Sequence, residues 1–323
     1  MKIGMISFWH VHAKDYAREA ERHSDTTIAA IWDEDEERGR REAQNRQAEY
    51  IGDLDDLLSR KDINAVVIDT PTNVHRDIII KAAKAGKHIF TEKVLAATEK
   101  EALEILEVVK QADVKLFVSL PRVYDDYTEA ILDLIKSGEL GEVTQTRVRL
   151  AHDGATADWL PAHFYNKEEC QGGALIDLGC HPVYLTRMFQ GMPDTVSAQF
   201  GYITGKSVED QAVVTYGYKN GAYGIAETGF VNAHSPFTIE VHGTKGSVCF
   251  GTPEQVLLKK VSAKWEEVEL PADRPSPFKQ WVDHIQNDKG TDENIALALD
   301  LTVLMESAYK AEAQKREIQI GER

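Results

Sequence analysis

The sequence predicts two halves of different class: an α/β half over residues 1–120 with a parallel, doubly wound sheet, and an α+β half over residues 121–323 built on a large, mostly antiparallel open sheet. Up to Leu120, short apolar runs alternate with helical stretches, the pattern of βαβ units. Beyond it strand follows strand, with Asn220-Gly221 as a hairpin turn between two of them. The length of 323 residues agrees with two domains, at roughly 100–200 residues each.

Ile3–Ser7 is the first strand, and the helix after it places small or apolar residues at Val11, Ala13, Tyr16, Ala17 and Ala20. Thr27–Trp32 is the second strand and runs into Asp33. Ala65–Ile68 is the third, followed by the turn Asp69-Thr70-Pro71 and a helix through Ile78–Ala85 that Gly86 terminates. His88–Phe90 is the fourth strand; Thr98-x-x-Glu101 opens the next helix as a capping box, and Leu116–Val118 is a further strand. A helix over Asp125–Lys136 then leads to strands at Val143–Leu150, Val196–Ile203, Ala212–Tyr218, Tyr223–Phe230, Phe237–Val241, Ser247–Phe250, Val256–Val261 and Trp265–Leu270. Helices return at Phe278–Gln286 and Asn294–Lys310.

Composition excludes several classes. With 37 Lys+Arg against 53 Asp+Glu, the net charge is −16, which argues against nucleic acid and against an anionic membrane surface as partners. Three cysteines (Cys170, Cys180, Cys249), none in a Cys-x-x-Cys pair, form neither a disulfide framework nor a zinc ribbon. Nowhere do 18 apolar residues run together, and the N-terminal apolar stretch is too short for a signal peptide, so the chain reads as cytoplasmic.

The strand–turn–helix at Gly4–Ala13 sits where a dinucleotide fold cradles a pyrophosphate, but the three glycine positions of G-x-G-x-x-G fall on Ser7, Trp9 and His12. Backbone N–H groups over Ser7, Phe8, Trp9 and His10 remain suited to an anion at a helix N-terminus, and His10 adds a donor. Asp33, about 20 residues further on, has the spacing of an acid that binds the adenosine ribose diol. Glu34, Asp35, Glu36 and Glu37 follow it with no base before Arg38, so NAD is preferred over NADP. Glu92-Lys93 closes the fourth strand, at the strand end where α/β sheets bind ligands. Gly172-Gly173-Ala174-Leu175-Ile176-Asp177-Leu178-Gly179-Cys180-His181 spaces Asp177 and His181 at i,i+4, so on a helix a carboxylate can orient an imidazole as general base.

Taken together, these stretches resemble the Gfo/Idh/MocA family, the inositol and sugar dehydrogenases with an N-terminal Rossmann domain. Thr70-Pro71-Thr72-x-x-His75 resembles its T-P-N-x-x-H turn, Ala85–Lys93 its A-G-K-H-V-x-x-E-K segment, and Gly172–His181 its G-G-A-L-x-D-x-G-x-H motif. Val94 stands where the family usually has Pro, and Tyr184 where its H-x-x-D has Asp. The resemblance implies hydride transfer between a sugar or cyclitol carbinol and a nicotinamide. By position, His181 is the base, Asp177 orients it and Lys93 holds the carbinol oxygen. Thr70, Pro71, His75, Glu92 and Arg122 line the cofactor cleft, and substrate contacts are expected from Trp159, His163 and Tyr184. A homodimer or homotetramer through the second sheet is implied as well.

Two other classes leave traces in the sequence. His10-x-His12 is similar to the opening zinc ligands of amidohydrolase barrels, but the strand-rich second half does not continue a barrel, and no metal is expected. The substituted glycines and Tyr184 are compatible with a non-catalytic cofactor-binding or sensor relative.

Overall fold

A computed structural model describes residues 1–251, 255–272 and 274–321. The chain divides into two compact units, Met1–Leu120 with Pro275–Leu299, and Pro121–Arg274 with Asp300–Arg323. The second half is therefore not one continuous stretch from 121 to 323: residues 275–299 return to the first unit. Their side chains explain why. Phe278 and Trp281 pack on Phe90 with ring centroids 5.7 and 5.6 Å away. The Asn294 amide accepts from Val118 N at 2.8 Å and donates to Val118 O at 2.9 Å, satisfying the backbone of an edge strand.

The first unit runs β1 (Lys2–Ile6), α1 (Ala13–Arg22), β2 (Thr27–Trp32), α2 (Glu36–Arg46), β3 (Glu49–Tyr50), α3 (Leu54–Ser59), β4 (Ala65–Ile68), α4 (His75–Lys84), β5 (His88–Thr91), α5 (Glu99–Ala112) and β6 (Leu116–Val118). Its six strands are parallel in the order β3-β2-β1-β4-β5-β6, the doubly wound sheet expected. All four residues of β4 are buried, as a continuous apolar run in a sheet covered on both faces requires. Thr98 and Glu101 form the capping box of α5 reciprocally, at 3.2 and 3.3 Å. The sequence reading missed α2, because that helix buries only Gly39, Glu42 and Ala43 and shows no apolar stripe.

The second unit contains α6 (Asp126–Lys136), β7 (Val143–Ala151), α7 (Lys167–Cys170), α8 (Cys180–Gln190), β8 (Thr195–Gly201), β9 (Gln211–Gly217), β10 (Tyr223–Gly229), β11 (Thr238–Gly243), β12 (Gly246–Phe250), β13 (Val256–Lys260), β14 (Glu266–Glu267) and β15 (Ile318–Gln319). A helix α9 (Pro277–Gln286) lies in the first unit, and α10 (Asp292–Gln314) spans the second crossing. The nine strands order as β14-β13-β12-β11-β7-β10-β9-β8-β15. Only β7 and β10 pair in parallel; the other neighbours are antiparallel. Asn220-Gly221 makes the β9–β10 turn, with Gly221 at φ +85° and the Asn220 side chain accepting from Ala222 N at 3.0 Å. The expected strand Trp265–Leu270 contracts to two paired residues, and β15 joins the far edge beside β8. α8 packs on β7 and β10 and covers one face of the sheet. Among the described residues, no helix is long and apolar enough to cross a membrane.

Candidate active site

In the first unit β1 lies between β2 and β4, so the loops leaving the carboxyl ends of β1 and β4 flank the point where the strand order reverses. They are joined there: His10 N–H donates to the Asp69 carbonyl at 3.2 Å. Ser7, at the first fingerprint position, adopts the left-handed φ of +72° that glycine ordinarily supplies. Its hydroxyl accepts from Trp9 N at 3.0 Å and donates to Glu34 at 3.0 Å. Phe8 N–H donates to Asp33 at 2.8 Å, and His12 N–H to His10 Nδ1 at 3.2 Å. Side chains thus brace a loop that glycines would otherwise shape, and the amides of Phe8, Trp9, His10 and His12 are engaged within the protein.

Asp33 is buried at the end of β2 and receives, besides Phe8 N, the Asp35 N–H at 2.9 Å and a two-pronged grip from Arg38 at 2.9 and 2.6 Å. Arg38 also reaches Glu34 at 2.7 Å. Sequence reasoning placed Arg38 beyond the acidic run; the first turn of α2 folds it back over two members of that run.

At the end of β4, Thr70 and Pro71 are buried, and Thr70 Oγ1 and both Asp69 carboxyl oxygens lie buried with no hydrogen-bond partner among the described residues. Burial, with the Glu92 charge adding to it, pushes the Asp69 carboxyl well up from its ordinary value. His75 was expected to line the cofactor cleft. Its ring is buried between two carbonyls, with Nε2 at 3.0 Å from Thr70 O and Nδ1 at 2.9 Å from Val94 O; the neutral imidazole donates to one of them, the tautomer deciding which.

Glu92 and Lys93, at the end of β5, are 1% and 4% exposed, so Lys93 is not an ordinary surface lysine; its Nζ lies 3.7 Å from Glu92 Oε1. Around the same carboxylate stand the Tyr16 hydroxyl, His12 Nδ1 at 3.4 Å and His10 Nδ1 at 4.0 Å. Burial pushes the Glu92 carboxyl up, but the two imidazoles and Lys93 outweigh it and hold the group well below the usual carboxylate range.

The second unit carries the other motif. Leu175–Gly179 forms a π turn that runs directly into α8. Pro182, three residues into α8, cannot supply an N–H to the carbonyl four residues back, and a π turn is a common way to absorb such a break. The Asp177–His181 spacing is therefore not that of a continuous α-helix. His181 is buried, with Nδ1 2.8 Å from the Tyr184 hydroxyl. That oxygen also accepts the Arg122 main-chain N–H at 3.0 Å. Which of His181 Nδ1 and the Tyr184 hydroxyl donates to the other depends on the tautomer of the imidazole. Tyr184, from which a substrate contact was expected, has no exposed surface, and its hydroxyl meets His181.

Arg122 does more through its backbone than its position suggested. Its guanidinium reaches Asp125 at 3.2 Å and Tyr127 at 3.3 Å and lies over the Phe237 ring. Trp159 is 56% exposed and donates to Asp153 at 3.0 Å. His163 is half-buried beside the Phe164 ring. His152 lies between the Trp159 and Phe230 rings at 4.7 and 4.9 Å. Burial lowers its pKa, and the Asp177 charge opposes that shift. No periodicity marks His152, because it follows the end of β7, and only the tertiary fold brings it to Asp177. Cys180 is buried and donates to the Asp177 carbonyl at 3.1 Å, as a small packing residue would.

Comparison with known proteins agrees with this geometry. Residues 1–120 match the model described as "Oxidoreductase family, NAD-binding Rossmann fold", and residues 128–249 match the GFO/IDH/MocA C-terminal domain. An uncharacterized oxidoreductase of Bacillus subtilis (strain 168) is 31% identical over 68% of this chain and 65% of its own length. The scyllo-inositol 2-dehydrogenase (NAD(+)) of the same organism is 30% identical over 70% of this chain and 66% of its own. The alignments thus span just under two thirds of these relatives. The structure of levoglucosan dehydrogenase in complex with NADH superposes with a TM-score of 0.85 at 20% identity, covering 100% of both chains, a likeness of fold. With both halves matched by models of one family, the chain belongs to the Gfo/Idh/MocA oxidoreductases.

Proposed function

We propose that the protein transfers a hydride between a nicotinamide dinucleotide and the CH–OH carbon of a sugar, cyclitol or related polyol. The observation that carries this reading is the buried His181, whose Nδ1 lies 2.8 Å from the Tyr184 hydroxyl, an oxygen that also accepts the Arg122 main-chain N–H; an imidazole held in this way is suited to proton transfer. The first unit fits a dinucleotide: Thr70 Oγ1 is buried at the reversal point without a partner among the described residues, and Asp33 ends β2 where a ribose diol is recognised, the diol taking the place of part of the Arg38 grip. When bound, the nicotinamide supplies the hydride acceptor. From this chain, His181 Nε2 takes the hydroxyl proton, Asp177 supports the imidazole, and the Lys93 ammonium steadies the negative charge that develops on the carbinol oxygen. The backbone of Ser7–His10, with Thr70, Pro71 and Glu92, shapes the dinucleotide groove.

NAD is the cofactor in this reading, because Asp33 and Glu34 together outweigh the single Arg38 charge they bind, and a 2′-phosphate would face a net negative site. A cyclitol substrate is suggested by the name of the scyllo-inositol relative. A cytoplasmic location and a homo-oligomer through the face of the nine-stranded sheet opposite α8 complete the proposal. Light scattering that returns a monomer would remove the oligomer.

One observation favours a second reading, a cofactor-binding sensor: the loop amides that grip a pyrophosphate already have partners. Tryptophan-fluorescence titration with NAD and NADP, followed by a screen of polyols and their keto forms, separates the two. Binding with turnover supports the dehydrogenase, binding without turnover of any polyol the sensor, and no binding of either dinucleotide at millimolar concentration ends both.

A further inference from the structure

Three side chains with metal-binding atoms, to which the hydride-transfer scheme gives no step, converge in the first unit beside the proposed dinucleotide groove. His10 comes from the loop after β1, His12 from the residue preceding α1, and Glu92 from the end of β5; one ligand atom from each lies within 4.8 Å of the others. We propose that His10, His12 and Glu92 bind a divalent transition-metal ion of the zinc class.

The donor set is that of a three-ligand zinc site with one position open: two imidazoles and a carboxylate. Bonds of about 2.0–2.2 Å in a tetrahedral arrangement put neighbouring ligand atoms roughly 3.3–3.5 Å apart. The His12 Nδ1–Glu92 Oε1 separation, 3.4 Å, already has this value, and His10 Nδ1–Glu92 Oε2, at 4.0 Å, needs only a small closure. The rings of His10 and His12 meet edge to face with centroids 4.6 Å apart, which brings their nitrogens to the same carboxylate.

The surroundings hold the ligands in place. His10 Nδ1 carries the lone pair and uses it to accept the His12 N–H at 3.2 Å, so metal binding exchanges that hydrogen bond for the metal bond. The Tyr16 hydroxyl donates to Glu92 and accepts from Ser119, whose oxygen lies 2.7 Å away, an outer-shell chain that orients the carboxylate. His10 and Glu92 are almost fully buried, whereas the His12 side chain is 37% exposed, so the fourth position is open on its side.

Hydrolysis of the barrel type does not follow, because the ligands sit on a doubly wound sheet. The site joins the β1–α1 loop, in which His12 stands at one of the three glycine positions, to Glu92 at the end of β5.

The test uses untagged full-length protein, stripped with chelator and titrated with Co²⁺ and, separately, Zn²⁺. The wild type is expected to retain about one equivalent of zinc after dialysis and to develop the visible absorption of a low-symmetry cobalt site. His12→Ala and Glu92→Gln are each expected to weaken uptake by roughly tenfold or more, whereas His152→Ala, outside the cluster, leaves uptake unchanged. Metal content far below one equivalent in the wild type, or uptake by folded His12→Ala equal to that of the wild type, overturns the site. The wild-type measurement decides the matter even where a variant does not fold. Dinucleotide titration on the same samples is read separately, so a failed cofactor reading and a failed metal site are distinguishable.

Discussion

The Nδ1 atom of His181 lies 2.8 Å from the Tyr184 hydroxyl, one turn along α8, and the same oxygen takes the Arg122 N–H at 3.0 Å. We propose that the position occupied by Asp in the family's H-x-x-D pattern has a different task in this chain. Tyr184→Phe keeps the ring and removes the hydroxyl that engages Nδ1, so the His181 imidazole loses that anchor. We expect kcat to fall roughly tenfold, with KM little changed and the pH profile shifted, against a loss of about 10²–10⁴-fold for His181→Ala. Unaltered kcat and an unaltered pH profile in Tyr184→Phe would show that the tyrosine only packs.

Much of this was legible in the sequence, for identifiable reasons. Strands β1, β2, β4, β5 and β6 are continuous apolar runs closed by turn residues, and period and length suffice to find them. β3 and β15 have two residues each and carry no pattern; pairing with a neighbour makes them strands. Lys93 and His181 were found through motif spacing. The roles of Tyr184, His75 and Arg38 were not, because each is defined by a partner distant in the fold or by a helical turn whose stripe is polar. The return of residues 275–299 to the first unit depends on Phe278, Trp281 and Asn294 meeting Phe90 and Val118, contacts no local pattern announces.

Cofactor preference turns on Asp33 and Arg38. In the wild type the guanidinium is held by Asp33 and Glu34, so NAD is expected to bind about tenfold or more tighter than NADP. Asp33→Asn with Glu34→Gln leaves an acceptor for Phe8 N–H but removes both charges, freeing Arg38 to meet a 2′-phosphate. Fluorescence titration should then show the preference reduced or reversed. A wild type that prefers NADP would refute the assignment.

Gly172 and Gly173 have a steric reason that the motif itself does not display. A Cβ on Gly173 would collide with the Glu209 carbonyl oxygen, and one on Gly172 with the Tyr309 hydroxyl. The Glu209 carboxylate meanwhile accepts Gly173 N at 2.8 Å, Leu175 N at 3.1 Å and Tyr309 OH at 2.7 Å, fixing the entry to the π turn. Because the obstacle at Gly173 is backbone, it cannot swing away. Gly173→Ala is expected to destabilise the protein by about 1–3 kcal/mol in denaturant titration. It should also lower kcat, because the segment it displaces carries Asp177 and His181. A stability within experimental error of wild type would mean that the turn has room the packing does not suggest.

His75 offers a pH test independent of catalysis. Burial lowers its pKa, while the Val94 and Thr70 carbonyls and the Glu92 charge act in the opposite sense without overcoming it. The folded state therefore binds fewer protons at His75 than the unfolded chain, whose histidines titrate near about 6.5. The stability tied to neutral His75 is complete above that pH and is lost as pH falls below it. His88 and His152 are shifted the same way by burial, so the wild-type profile alone does not isolate one residue. The comparison that does is His75→Phe, which keeps a ring in the cavity, removes the donor between two buried carbonyls and cannot titrate. Its cost, about 1–3 kcal/mol at neutral pH, should shrink as pH falls, because the wild type alone pays the penalty of keeping His75 neutral. Thermal melts of the two proteins from pH 8 to pH 5 read this directly: converging Tm values support the clamp, and a constant gap would mean that His75 does not titrate as its burial requires.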